Sequence, residues 1–158
     1  RWLFLYPGAA LFAVGLAAML ALLPGPLRIA GVTFDVHTLL YAAGGTVMGF
    51  QALQFWVFAR IYGGLEGVVP EARRLTAALA RFGLEPALIL AALLVASGLG
   101  LGFAALARWS AEGFGPLGGF GAMRLAIASV TAMLLGLQLA CGAFFVAVLG
   151  MMRAGPSR

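Results

Sequence analysis

Apolar residues in this chain fall into four long runs, and the breaks between them are rich in proline, glycine and charge. The runs cover residues 2–23, 38–59, 86–107 and 123–152. Each is long enough for the ~20 residues an α-helix needs to cross a bilayer core. Pro24-Gly25-Pro26 stops the first, Arg60 with Gly63-Gly64 the second and Arg108 the third. The third opens on Pro86, a residue suited to the first turn of a helix. The fourth has length to spare for tilt or protrusion. The pattern predicts an all-α integral membrane bundle of four transmembrane helices, arranged as two hairpins in one membrane domain. The first run is too long for a signal peptide and has no clear small-residue cleavage site before Pro24.

A weaker periodicity lies between the second and third runs. In "PEARRLTAALARFG", Ala72, Leu75, Leu79 and Phe82 share one helical face, with Arg73, Arg74, Thr76 and Arg81 mostly away from it. Pro70 and Gly83 bracket the segment. It reads as a short amphipathic helix over residues 70–82, lying in the headgroup plane with its arginines toward phosphate. An ordinary solvated connector helix is the alternative.

Composition strengthens the membrane reading. The chain of 158 residues is 63% hydrophobic with 23 further glycines, and only 9% is charged. A soluble fold of this size cannot hide so much apolar surface. The net charge of +5 comes with no lysine at all. The arginines sit between the apolar runs rather than along a soluble stripe, which points to topology and anionic headgroups and away from nucleic acid. With four crossings, one face carries Arg1, Arg60, Arg73, Arg74, Arg81, Arg153 and Arg158, and the other carries Arg28, Arg108 and Arg124. The excess puts both termini and the middle loop in the cytoplasm.

A shift of 87 positions aligns Gly15 with Gly102, His37 with Arg124, Gly49 with Gly136, Gln51 with Gln138 and Phe58 with Phe145. A direct repeat of two hairpins would produce such matches. So would chance in a chain this rich in Ala, Gly and Leu.

Candidate chemistry is sparse. None of Asp35, Glu66, Glu71, Glu85 and Glu112 lies inside a predicted span, and no two of them form a D-x-D pair. Neither a paired-carboxylate site nor a metal site follows, and no catalytic residue is assigned. Asp35 and His37 are close, but no convincing nucleophile accompanies them. Asp35 is better used as the N-cap of the second helix, with His37 in its first turn at the interface. Gln51, Gln54 and Gln138 are amides within spans, suited to bridging helices or to lining a lipid or sugar path. Gly98 and Gly102 form a G-x-x-x-G step for close helix packing. No strand precedes them and no lysine follows, so they are no nucleotide loop. Cys141, the lone cysteine, reads as a small packing residue.

Several stretches come in a familiar order: "RWLFLYPG", "PGPLRIAGVTFDVHTLLYA", "GFQALQFWVFARIY", "GFGPLGGF" and "VTAMLLGLQLACGAFFVAVLGM". Together they resemble the C-terminal membrane region of bacterial family 2 glycosyltransferases of the dolichyl- or polyprenyl-phosphate type. The resemblance spans nearly the whole chain. It implies a preceding cytoplasmic GT-A domain that binds a nucleotide-sugar with a divalent metal such as Mg or Mn, and a polyprenyl-phosphate acceptor at the cytoplasmic face of the bacterial inner membrane. No position here matches the metal-binding acidic motif. An Arg at position 1 in place of Met fits a preceding domain absent from this sequence. The expected role is membrane anchor and lipid-acceptor platform for the transferase, with Arg60, Arg73, Arg74 and Arg81 as contacts for the lipid phosphate. Two other roles stay open: a stand-alone protein that helps translocate lipid-linked sugars, and a structural module that forms homo-oligomers through Gly98 and Gly102.

Overall fold

The computed structural model describes residues 4–66, 83–111, 113–114 and 121–153. Four helices dominate it: α1 (Leu5–Leu22), α2 (Val36–Leu65), α3 (Leu84–Ala111) and α4 (Gly121–Arg153). The expected amphipathic helix at 70–82, with Arg73, Arg74 and Arg81, lies outside the described residues, as does Arg1. α2, α3 and α4 extend past the bounds of their apolar runs at both ends, whereas α1 falls short of its run at both. α3 begins at Leu84, so Pro86 stands inside the first turn rather than opening it.

Among the described residues, three helices are long and apolar enough to cross a membrane, with mean hydropathies of 1.9 for α1, 2.3 for α3 and 2.2 for α4. α2 is not one of them, although a span was expected at 38–59. Its 30 residues include Gly44, Gly45, Gln51, Gln54 and Arg60, which dilute its apolar side chains. Little of the three apolar helices is covered by protein: 22%, 11% and 17% of the span windows are buried. Val14, Phe103 and Leu137 are among the many large side chains left bare. A surface of that kind is at home only against acyl chains.

The pattern of apolar runs gave no strands, yet the first connection is a two-stranded antiparallel ribbon. β1 (Leu27–Ile29) pairs with β2 (Val32–Phe34), with Ile29 opposite Val32. The turn residues Ala30 and Gly31 have φ of 49° and 81°. Two consecutive residues at positive φ make the turn whose twist suits a two-residue hairpin. β-branched residues on both sides supply the strand preference.

Helix packing follows the glycines. A Cβ added at Gly15 would lie 2.7 Å from the Thr46 amide nitrogen and 2.8 Å from the Ala42 carbonyl oxygen. Farther back along α1, Gly8 meets Ala52, and Gly49 of α2 meets the Phe12 backbone. Rising numbers on α1 therefore meet falling numbers on α2, and the two run antiparallel. The same holds for α3 and α4. Gly98 lies against Ser129 and Met133, Gly102 against Ser129, and Gly136 against Ala91 and Val95. Removing Cβ where two backbones cross lets them approach closely, which is how helices associate where lipid removes the hydrophobic drive. Gly98 and Gly102 thus serve the α3–α4 packing within the chain.

Polar atoms at these crossings are satisfied locally. Thr46 and Thr131 donate to the carbonyls four residues back, at 2.8 and 2.7 Å, and Ser129 Oγ donates across to the Gly98 carbonyl at 2.7 Å. The two antiparallel pairs meet along α2 and α4. Near the ribbon, Met19, Leu22, Leu39, Ala42 and Ala43 form one buried cluster with Ala128 of α4.

Candidate functional site: a polar seam between the helix pairs

The contacts between α2 and α4 form a seam along the bundle, with polar groups at two levels. Low numbers of α2 meet low numbers of α4, so these two helices run parallel. At the ribbon end, Asp35 caps α2 by accepting a 2.8 Å hydrogen bond from the Val36 N–H. The same Oδ1 accepts from Arg124 Nη2 in an ion pair joining the two halves of the chain. The Arg124 side chain is only 10% exposed and that of Asp35 27%. Arg124 Nε is buried with no hydrogen-bond partner among the described residues. A half-satisfied guanidinium in this setting depends heavily on its one carboxylate.

The second level is made of amides. Gln54 Nε2 donates 2.8 Å to the Gln138 main-chain oxygen, and Gln138 Nε2 donates 2.9 Å to Gln51 Oε1. Gln138 Oε1 is buried with no hydrogen-bond partner among the described residues. Beyond them Phe58 and Phe145 meet edge to face at 4.7 Å. Arg60 follows in α2 and has a partner of its own.

The structure therefore brings Gln51, Gln54 and Gln138 together. It puts Gly98 and Gly102 at the α3–α4 crossing and Arg60 at the seam's far end. His37 is exposed in the first turn of α2. Cys141 is exposed on α4, not packed inside as a small filler. Among the described residues no group of three or more His, Cys, Asp and Glu side chains could hold a metal ion. An open apolar groove lined by Gly102, Ala105, Trp109, Ala122 and Met123 lies between α3 and α4 near the ribbon end.

Arg124 is the residue whose role sequence reasoning missed, counting it only toward the charge of one membrane face. Its signal was present: an arginine at the head of a long apolar run is costly in lipid and calls for a partner. The chain has one aspartate, at the head of another run. Trp56, whose indole Nε1 is buried without a hydrogen-bond partner among the described residues, was also missed.

A family model describing the glycosyltransferase family 2 C-terminal transmembrane region matches residues 57–150, more than half of the chain. The chain belongs to that family. The matched part of this family 2 membrane region runs from the last turns of α2 through all of α3 and nearly all of α4, so it includes Arg124, Gln138 and Phe58 but not Asp35 or Gln51. No curated protein and no solved structure matches the chain.

Proposed function

We propose that this membrane region anchors a family 2 glycosyltransferase and holds its lipid acceptor, a polyprenyl-phosphate-type carrier, beside a nucleotide-sugar-dependent catalytic domain. The match to the family's C-terminal transmembrane region carries the reading. Spans apolar enough for lipid contact support it. In this reading α2 crosses the bilayer as a fourth span. Its 30 residues are ample, since at 1.5 Å per residue about 20 suffice. Two of its amides, Gln51 and Gln54, hydrogen-bond to α4. Four crossings put both termini and residues 67–82 on the cytoplasmic side of a bacterial inner membrane, by the arginine excess on that face.

The acceptor phosphate then meets Arg60, Arg73, Arg74 and Arg81 at the cytoplasmic surface, with a divalent metal confined to the catalytic domain. Charge-assisted contacts of this kind contribute roughly 1.5–3 kcal/mol each. Replacing Arg73 and Arg74 together by glutamine in the complete enzyme should raise the KM for the lipid phosphate at least tenfold, with the KM for the nucleotide-sugar little changed. An unchanged lipid KM removes both residues from the acceptor site.

A further inference from the structure

The packing of α3 on α4 is tight in mid-helix and open at one end. Gly98 and Gly136 bring the two backbones together. Toward the ribbon end the lining residues Gly102, Ala105, Ala122 and Ala126 are too small to fill the space between the helices. They leave an open groove of about 280 Å3. From Gly102 to Trp109 it follows α3 for about 10 Å. That is roughly two thirds of the ~15 Å of hydrocarbon in one leaflet.

Positive charge gathers at the end of this groove. Arg108 directly follows the apolar run that ends at Ala107, which sets it at headgroup level. A basic residue in the last turn of α3 suits the dipole of that helix, yet the guanidinium reaches across to the next one. A Cβ on Gly121, the first residue of α4, would lie 3.4 Å from Arg108 Nη1. The start of α4 carries partial positive charge of its own, and no acidic residue stands in its first turn. Arg108 is exposed and has no ion pair or hydrogen bond among the described residues. Among those residues the carboxylate at this end is Asp35, which Arg124 already holds. Two positive groups side by side call for an anion.

We propose that the groove holds an acyl chain of an anionic phospholipid, with the lipid phosphate between Arg108 and the N-terminus of α4. The apolar groove and its cationic end follow the order in which one leaflet presents chain and headgroup. An anionic headgroup suits the place better than a zwitterionic one, whose ammonium would return positive charge to it. Another protein helix fits worse. A cylinder 10–12 Å across does not enter so small a space, and its apolar face leaves the guanidinium unmatched. The site lies at the opposite end of the helices from Arg60. It stands whether or not the cytoplasmic arginines hold the acceptor.

The test uses the complete protein in phosphatidylcholine vesicles that carry a trace of a photoreactive lipid. The probe is phosphatidylglycerol with a diazirine near the top of one acyl chain, compared with phosphatidylcholine labelled in the same way. After illumination, mass spectrometry of fragments locates the label. The phosphatidylglycerol probe should label Leu106 and Met123, exposed residues of the groove, roughly fivefold more than the phosphatidylcholine probe does. Leu20 and Leu40, exposed near the same end of α1 and α2, should show no such preference. Arg108→Gln should abolish the preference in the groove. Ala126→Phe, which puts a ring into the groove from an exposed position, should abolish it too and leave Leu20 and Leu40 labelled as before. Equal labelling of the groove by the two probes overturns the inference, and so does a preference that survives Arg108→Gln. A preference that survives Ala126→Phe overturns it as well, because Arg108 then gathers anionic lipid by diffuse charge without a chain in the groove. Labelling of Leu20 and Leu40 with none in the groove means that protein covers it, and that result also overturns the inference.

Discussion

The α1–α2 pair and the α3–α4 pair are built by the same device and finished differently. Both cross at glycines that meet backbone: Gly15 and Gly49 in the first pair, Gly98 and Gly136 in the second. Both turn through a connection with a non-glycine residue at positive φ, Ala30 in one and Phe114 in the other. They part company on the inner helix. α4 buries Arg124 and Ala128 against α2, whereas their counterparts on α2, His37 and Tyr41, are exposed, and α2 packs Leu39 and Ala43 with Ala128 instead. Shared backbone geometry with exchanged side-chain roles lets similar halves join without being interchangeable.

The strongest way to break the comparison is at the crossings. Gly49→Leu drives a branched side chain into the Phe12 backbone, and Gly136→Leu does the same at the Ala91 carbonyl, 2.8 Å from a Cβ there. Backbone cannot yield as a flexible side chain does. Each substitution should cost about 3 kcal/mol or more, read as loss of the folded form in mild-detergent thermal denaturation. Gly44→Ala is the control on the same helix, since a Cβ at Gly44 has nothing within 4 Å. It should be neutral or slightly stabilising. Equal damage from Gly44→Ala and Gly49→Leu would mean that helix preference, not close approach, explains these glycines.

The join between the pairs is the next target. Asp35→Ala removes both the cap on Val36 and the carboxylate that balances buried Arg124. Leaving that guanidinium alone should cost about 3–5 kcal/mol. Arg124→Leu removes the buried charge itself and leaves only the more exposed Asp35, so it should cost clearly less. If the two cost the same, the ion pair lost in both dominates, and neither the cap nor the stranded guanidinium adds to it. Gln54→Leu, which deletes one donor to the Gln138 main chain, should cost only about 0.6–2 kcal/mol. It should leave the α1–α2 crossing intact, as disulfide trapping between those helices would report.

What the sequence made legible follows from which forces are local. Lipid demands long apolar runs, so helix positions could be read within a few residues. The glycines of the α3–α4 crossing were legible because close approach leaves a small-residue spacing on one helix. The ribbon was not. Ile29-Ala30-Gly31-Val32 puts an alanine where an asparagine or glycine signals the turn. The ion pair was hidden because its partners stand 89 positions apart. Neither residue reveals which way its helix is rotated. The amide contact between Gln51 and Gln138 was visible only as a coincidence in the shifted alignment. Coincidence becomes geometry only once α2 and α4 are known to run parallel.

The finest distinction lies in the two connections. Ala30, at φ 49°, holds a backbone region that costs an L-residue about 1–2 kcal/mol. Glycine removes that strain but gives back roughly 0.5–1 kcal/mol in chain entropy. Ala30→Gly should therefore stabilise the chain slightly, by at most about 1 kcal/mol, or roughly 2–4 °C in Tm for a protein of this size. Phe114 stands at φ 57° but also packs edge to face on Trp109 at 5.1 Å. Phe114→Gly gains the same relief and loses an aromatic pair worth about 0.5–1.5 kcal/mol, so it should be neutral or mildly destabilising. Opposite signs would mean that the ribbon turn is set by backbone alone and the second turn by the ring that fills it. The same sign for both would make the Trp109 contact incidental and the two connections equivalent.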